Sequence, residues 1–360
     1  MKIAIGYKIK NSSWGGGNQF AKSLIKAAKN NGHEITYELK DKNIDIILLI
    51  DPRSYNNDIT FGSLEIINYL LFKNKKAIVI HRINECDERK NTKYMNKLLR
   101  WSNYCADHNI FIASWLRNLN IYQRNKPSTV ILNGGDRDIF YNYIDNNWDG
   151  LSPLKIVTHH WSPNFMKGFE VYRKLDNLLL SSEWKYKIEF TYIGNIPRDF
   201  KFKKAKHILP INGKALAAEL SKHHIYISAS INEPAGMHHI EGILCGLPIL
   251  YRNSGALPEY CNGYGIPFED DNYLPALEEM FKEYPKFKRK ILEYKNDSKN
   301  MSNSYLKLFK NLIDQKDEII KKRFLLRSPL LLSLNFIFLI ISLKNIVKLF
   351  NKISFNKKYK

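Results

Sequence analysis

The chain has 360 residues, 44% of them hydrophobic and 13% aromatic, which excludes a disordered polypeptide and is more than one ordinary domain needs, so two are expected. Its formal net charge of +21 leaves three classes of partner: nucleic acid, an anionic membrane surface, or an anionic small molecule. Four cysteines (Cys86, Cys105, Cys245, Cys261) show neither close pairing nor metal-ligand spacing and read as reduced thiols of a cytosolic protein.

Met1–Ile5 goes straight into a strand-like run, without the pattern of a signal peptide. Ile3–Ile5 predicts a first strand. A loop over Asn11–Asn18 follows, carrying Gly15, Gly16 and Gly17, and then a helix over Gln19–Asn30. Glycines between a strand and a helix let the backbone approach a ligand closely, although a flexible surface loop has the same composition. The spacing is not GxGxxG, so a dinucleotide fingerprint is not supported. Ile44–Ile50 predicts a second buried strand and Ala77–Ile80 another, which puts His81 at a strand's carboxyl end ahead of the charged run Arg82–Arg89. His81 is then either functional or an ordinary loop histidine, and the charges after it either meet an acceptor or are solvated. Ile110–Ala113, a helix around Trp115–Leu119 and Thr129–Leu132 continue an alternation that implies a parallel sheet. Asp136 and Asp138 form a D-x-D that could hold a divalent metal, but Asn133-Gly134-Gly135-Asp136 is turn chemistry, and no metal ligand is assigned. Polar Asp145–Ser152 reads as a linker, dividing a domain at 1–150 from one at 151–320.

The second half restarts with a strand over Lys155–Thr158, followed by His159-His160-Trp161-Ser162-Pro163 and Lys167-Gly168. A lysine at the mouth of that strand can reach a phosphate. The paired histidines lack a third zinc ligand nearby. Ile188–Ile193 predicts a strand ending in Gly194-Asn195, and Ala215–Ser221 a helix. The densest stretch is Ile225–Glu259. It reads as a buried strand over Ile225–Ala229, a turn with Glu233-Pro234, a helix opened by Gly236 and stopped by Gly246 and Pro248, and a strand from Ile249. Glu233 thus falls on a loop at a strand's carboxyl end, and Glu241 inside the next helix. Ligands of open α/β sheets bind in that crevice, and a helix start there favours phosphate. Tyr273–Lys322 reads as helical, and no solenoid repeat is evident.

From Lys321 to Lys360 there are ten Lys or Arg and no Asp or Glu, about half the net charge. The apolar run within it is shorter than the ~20 residues a simple span needs, so an interfacial helix on an anionic membrane is expected, with a helix packed on the core as the alternative. No helix shows a basic stripe interleaved with aromatics, which counts against nucleic acid.

Together these residues resemble family 4 glycosyltransferases of the GT-B fold. The features that carry the resemblance are Glu233-x7-Glu241, Ser254-Gly255-Ala256-Leu257-Pro258-Glu259, Lys167-Gly168, Asn133-Gly134-Gly135-Asp136 and Gly15-Gly16-Gly17, in the family's order over residues 1 to about 310. The resemblance implies two Rossmann-like α/β domains facing across a cleft, with the basic, apolar tail (321–360) added. It also implies metal-independent sugar transfer from a nucleotide sugar to a glycan or lipid-linked acceptor with retention of configuration and no cofactor, and the tail is expected to hold the enzyme at the cytoplasmic face of a membrane. Carried over, Glu241 is the ribose ligand and Glu233 contacts the donor sugar near its reacting face. Gly236 and Met237 offer backbone N–H groups, Lys167 neutralises the diphosphate, Gly16 or Gly17 approaches it from the other domain, and His81 contacts the donor sugar. Where the family has an arginine shortly before the Lys-Gly pair this chain has none, so His160, or Arg198 beyond Gly194, is expected to supply the second donor contact. Pro234-Ala235-Gly236 replaces the family's Gly-Phe-Gly, which alters the donor pocket. A non-catalytic nucleotide-sugar or glycan-binding protein is the alternative on the same fold.

Overall fold

The computed structural model describes residues 1–10, 15–53, 57–144 and 146–323. They build two six-stranded sheets, each parallel throughout. The first contains β1 (Lys2–Ile5), β2 (Glu34–Thr36), β3 (Ile46–Leu49), β4 (Ile78–Ile83), β5 (His108–Phe111) and β6 (Ser128–Val130), in the order β2-β1-β3-β4-β5-β6. Its helices are α1 (Gly15–Asn30), α2 (Ser63–Phe72) and α3 (Met95–Ser102). The second contains β7 (Leu154–His160), β8 (Ile188–Gly194), β9 (Lys206–Ile208), β10 (Ile225–Ser228), β11 (Ile249–Arg252) and β12 (Gly265–Phe268), in the order β12-β11-β10-β7-β8-β9. It carries α4 (Phe169–Leu178), α5 (Gly213–Leu220), α6 (His238–Leu244), α7 (Leu257–Cys261) and α8 (Leu274–Lys290), after which come α9 (Ser298–Asp314) and α10 (Lys316–Lys322).

Parallel strands are covered on both faces, so their sequences are apolar runs rather than alternations. β3 is Ile-Ile-Leu-Leu and wholly buried. One face of the first sheet packs against Phe20 and Leu24 of α1, and the other against Ile66, Tyr69 and Leu70 of α2. The second sheet is covered on one side by α4 and α8. A further apolar cluster joins Ile83, Phe111 and Leu116 of the first half to Leu244, Tyr226 and Tyr260 of the second. α9 crosses back onto α1, burying Met301, Tyr305 and Phe309 beside Phe20. The crossing runs alongside the Asn133-Gly134-Gly135 turn, where the Ser298 N–H donates to the Gly135 carbonyl at 2.8 Å.

Several elements differ in extent from their sequence readings. The three glycines are not a loop, since α1 begins at Gly15. β4 runs on through Arg82 to Ile83, because pairing with β3 and β5 buries side chains whose polarity had suggested a loop. β7 likewise takes in both His159 and His160. Trp115 lies in a 3₁₀ turn, Ser114–Asn118, and the three-residue strands β2 and β9 are too short to leave a periodic signal. All four cysteines are unpaired and buried. The expected membrane-associating tail lies outside the described residues beyond Arg323. Among the described residues no helix is long and apolar enough to cross a membrane.

Candidate functional site

A cavity of about 380 Å³ opens between the carboxyl ends of the two sheets. From the first half it is lined by Gly16 and Gly17 in the first turn of α1, by Asp51 and Arg53 after β3, and by Arg82, Glu85 and Arg89 from β4 and the loop beyond it. From the second half come His159, His160, Lys167, Gly194, Glu233, Gly236, Met237 and Glu241. The two halves approach closely here: a Cβ placed on Gly16 would sit 2.9 Å from Met237 Cγ.

Lys167 and Glu233 form a buried ion pair on the cavity wall. Lys167 closes a 3₁₀ turn, Phe165–Lys167, whose start is capped by the Asn164 side chain accepting from the Met166 N–H at 2.8 Å. Gly168 then turns left-handed, with φ of 91°, and any side chain on it would overlap Ala229 at the end of β10. Only glycine lets this turn press against the strand that leads to Glu233. Glu233 is fixed by its own backbone: its carbonyl accepts from the Ala256 N–H at 2.9 Å, and the preceding Asn232, at φ of 50°, is tied to Ser254 Oγ at 2.9 Å. Arg89 reaches in from the other half. It donates to Glu85 at 2.8 Å, and its Nε lies 4.0 Å from Glu233 Oε1. Burial alone raises a carboxylate's pKa, but Lys167 and Arg89 outweigh it and hold Glu233 at about 2, so it is ionised at neutral pH. Burial pushes the Lys167 ammonium below its ordinary value, with Glu233 opposing that shift.

Glu241, on the short helix α6, is held through Oε2 by His159 Nε2 at 2.8 Å, and His159 is itself braced by the Tyr226 hydroxyl at 3.1 Å from Nδ1. His160 follows it at the carboxyl end of β7, hydrogen-bonded to the Tyr172 hydroxyl at 2.7 Å. Burial, with Lys167 and His159 nearby, pushes the His160 pKa well below its ordinary value. That disfavours the imidazolium and counts against His160 as the second positive charge. Gly194 ends β8 at φ of 135°, where a side chain would overlap the His160 carbonyl.

Two of the expected site residues are not in the cavity lining. The sequence places His81 at a strand's carboxyl end, and the resemblance makes it a contact of the donor sugar. It lies inside β4, paired in register with Leu49 and Asn109, wholly buried, and neither ring nitrogen has a hydrogen-bond partner among the described residues. Alternation along the strand turns it away from the α1 side, which Arg82 occupies over the Phe20 ring at 3.9 Å. Arg198 is exposed in the loop after β8. The cation that stands there instead is Arg89, from the charged run in the other half; Arg82 lines the same wall, and Arg53 is paired with Asp51. Asp136 and Asp138 also stay out of the lining: Asp136 Oδ1 accepts from the Asp138 N–H at 2.9 Å, and Asp138 pairs with Lys26 at 3.0 Å. Lys167, Arg53, Arg82 and Arg89 line the cavity beside the carboxylates of Asp51, Glu85, Glu233 and Glu241, so an anion held there has to draw Lys167 or Arg89 from the carboxylate it pairs with.

Burial also holds His81 and His239 at about 3, and pushes His160 and His238 well below their ordinary value. Each folded-state pKa lies under the unfolded value, so these groups favour the fold above pH about 6.5 and oppose it as protons bind the unfolded chain below that. Between pH 7 and 5, His81 and His239 alone are expected to cost about 2 kcal/mol each. Melting followed by circular dichroism is expected to fall by several degrees over that range, and a flat profile would contradict neutral buried histidines.

No family model matches the sequence, and no curated protein matches it. Solved structures do match. Sucrose-phosphate synthase from Thermosynechococcus elongatus aligns with a TM-score of 0.61 at 13% identity, over 87% of this chain and 99% of that one. The catalytic domain of starch synthase IV from Arabidopsis thaliana, bound to ADP and acarbose, gives 0.61 at 13% over 87% and 99%. Anabaena HepE in complex with UDP-glucose gives 0.59 at 10% over 87% and 100%. At these identities the likeness is one of architecture: the chain has the two-domain GT-B glycosyltransferase fold.

Proposed function

We propose that this chain is a retaining hexosyltransferase that moves a sugar from a nucleotide-sugar donor to a glycan or lipid-linked acceptor, in the assembly of cell-surface polysaccharide or lipopolysaccharide. The observation that carries this reading is the buried Lys167–Glu233 pair facing Arg89 across the interdomain cavity. The structural relatives support it, since HepE is seen with UDP-glucose and starch synthase IV with ADP and acarbose.

In the proposed reaction the bond between the sugar's anomeric carbon and the donor phosphate breaks, leaving positive charge on the sugar and negative charge on the diphosphate. Lys167 and Arg89 stabilise the departing diphosphate, with Gly16, Gly17 and Gly194 giving its oxygens room. Glu233, ionised and released from Lys167 once the diphosphate takes that lysine's charge, stabilises the sugar or positions its hydroxyls. Glu241, held by His159, receives the ribose hydroxyls, and Gly236 and Met237 meet the sugar through their backbone. The acceptor hydroxyl attacks from the face the phosphate leaves, the new glycosidic bond forms there, and the hydroxyl proton passes to the leaving diphosphate. No resident metal or cofactor is assigned a role. A sugar trapped covalently on Glu233 would overturn same-face attack.

The direct test is a thermal-shift panel of UDP-, ADP- and GDP-sugars followed by a transfer assay on those that bind. A ligand at a hundredfold excess over its Kd stabilises the fold by about 2.7 kcal/mol. Absence of any shift would sink the reading. Binding without turnover would favour a nucleotide-sugar-binding protein. Arg89→Ala is expected to weaken nucleoside-diphosphate binding about ten- to a hundredfold, the loss of a charge-assisted contact. Arg198→Ala is expected to leave it unchanged, both read by isothermal titration. We place the working enzyme at the cytoplasmic face of a membrane, held there through residues 321–360.

A further inference from the structure

We infer that the carboxyl end of α2, together with the point where residues 324–360 leave the described structure, forms a docking face for an anionic lipid bilayer. This rests on the membrane location proposed above. Phe72, the last residue of α2, is 82% exposed, and Leu71 beside it is 38% exposed. Lys73, Lys75 and Lys76 follow them in the chain and are exposed too, with Lys73 Nζ donating to the Leu39 carbonyl at 3.0 Å. A protruding aromatic followed by lysines suits an interface where the ring enters the headgroup region and the ammonium groups meet lipid phosphates.

The second observation is Arg323. Its guanidinium is buried against the same turn, donating to the Lys75 carbonyl at 2.7 Å, the Ala77 carbonyl at 2.7 Å and Asp107 at 2.8 Å. The chain beyond it therefore starts within a few residues of Phe72. Residues 324–360 contain seven Lys or Arg and no Asp or Glu, around the apolar run Leu330–Ile341. The acidic groups nearby do not reverse the sign. Asp107 is neutralised by Arg323, Glu318 of α10 pairs with Lys322 at 3.7 Å, Glu38 with Lys40 and Asp41 with Lys2, which leaves Glu65 and Asp317 against Lys73, Lys75, Lys76 and Lys321. A cationic segment is repelled by a lysine-rich face, so the tail is a poor cover for Phe72. An anionic surface attracts both, and two weak membrane signals at one place hold a protein where either alone binds marginally.

The experiment uses the full-length chain and flotation with phosphatidylcholine vesicles, with and without phosphatidylglycerol. Wild type is expected to float with the anionic vesicles only. Lys75→Gln with Lys76→Gln is expected to weaken partitioning roughly thirtyfold, at the typical worth of two lysines near an anionic surface. Phe72→Ser is expected to weaken it about tenfold or more, the worth of burying one aromatic side chain. Melting temperature is expected to stay unchanged in both variants, since the residues are exposed. Wild type that ignores anionic vesicles overturns the membrane location as well as this face. Wild-type binding that both variants retain overturns the face alone and leaves residues 324–360 as the sole anchor. Phe72→Ser that lowers the melting temperature while vesicle binding persists means the chain itself covers Phe72, which also overturns the face.

Discussion

Glu233→Gln is expected to abolish measurable transfer, a loss on the order of 10²–10³-fold or more, while nucleoside-diphosphate binding survives. The substitution keeps the shape of the side chain and removes only its charge. In the resting protein that charge is balanced by Lys167 and Arg89, which hold the carboxyl at about 2 and so keep it ionised across the working pH range. Once a diphosphate occupies both cations, the carboxylate is the negative group left to face a sugar becoming positive. A glutamine offers only a dipole there. The fold also reads the change, because a buried ammonium without its partner carries a penalty of several kcal/mol. Transfer rate and melting temperature therefore have to be measured together, with the diphosphate titrated separately. Full activity in Glu233→Gln would remove Glu233 from the reaction. Lost activity with lost diphosphate binding would move it from the sugar to the architecture of the phosphate site.

The parts of this fold and site that could be read from the chain are those whose signal is local. β3 and β10 are short apolar runs bounded by turn residues, and both lie where the pattern predicts. Glu233, Glu241 and Lys167 carry their meaning in spacing: a carboxylate on a loop after a strand, another inside the next helix, and a lysine before a glycine that must turn left-handed. What was missed depends on tertiary pairing. His81 and Arg82 look like the start of a loop because they interrupt an apolar run. Flanking strands on both sides keep them in the ladder and decide which of the two faces α1. Arg89 belongs to a charged stretch that one chain position cannot distinguish from a solvated loop; only the approach of the second sheet makes it a neighbour of Glu233. The resemblance points to His160 or Arg198 in place of the family's arginine before the Lys-Gly pair. Burial against Tyr172 disfavours a charge on the first, and the β8 loop points the second to solvent.

Lys167→Ala is expected to abolish transfer as well, but by a different route. Its ammonium is buried on the cavity wall and is the second half's cation there nearest Glu233. Removing it takes charge stabilisation from the departing diphosphate, so both donor affinity and the chemical step are expected to fall. Arg89→Ala, at the edge of the same anion, is expected to act mainly on affinity. The variant also leaves Glu233 buried with Arg89 as its remaining cation, at 4.0 Å, and a carboxylate deprived of its closest counter-charge destabilises the fold by about 3–5 kcal/mol. That loss has a pH signature. Glu233 contributes stability above its unfolded pKa of about 4.5 and loses it as pH falls toward about 2. In Lys167→Ala burial is opposed by one cation instead of two, so the folded pKa rises and the melting temperature is expected to recover partly at pH 4–5 relative to wild type. The double variant Lys167→Ala with Glu233→Gln removes the orphaned charge, and its melting temperature is expected to exceed that of Lys167→Ala while transfer stays absent. A double variant no more stable than the single one would mean that Lys167 and Glu233 do not depend on each other in the fold. Transfer retained by Lys167→Ala would assign the diphosphate to Arg89, Arg53 and Arg82 alone.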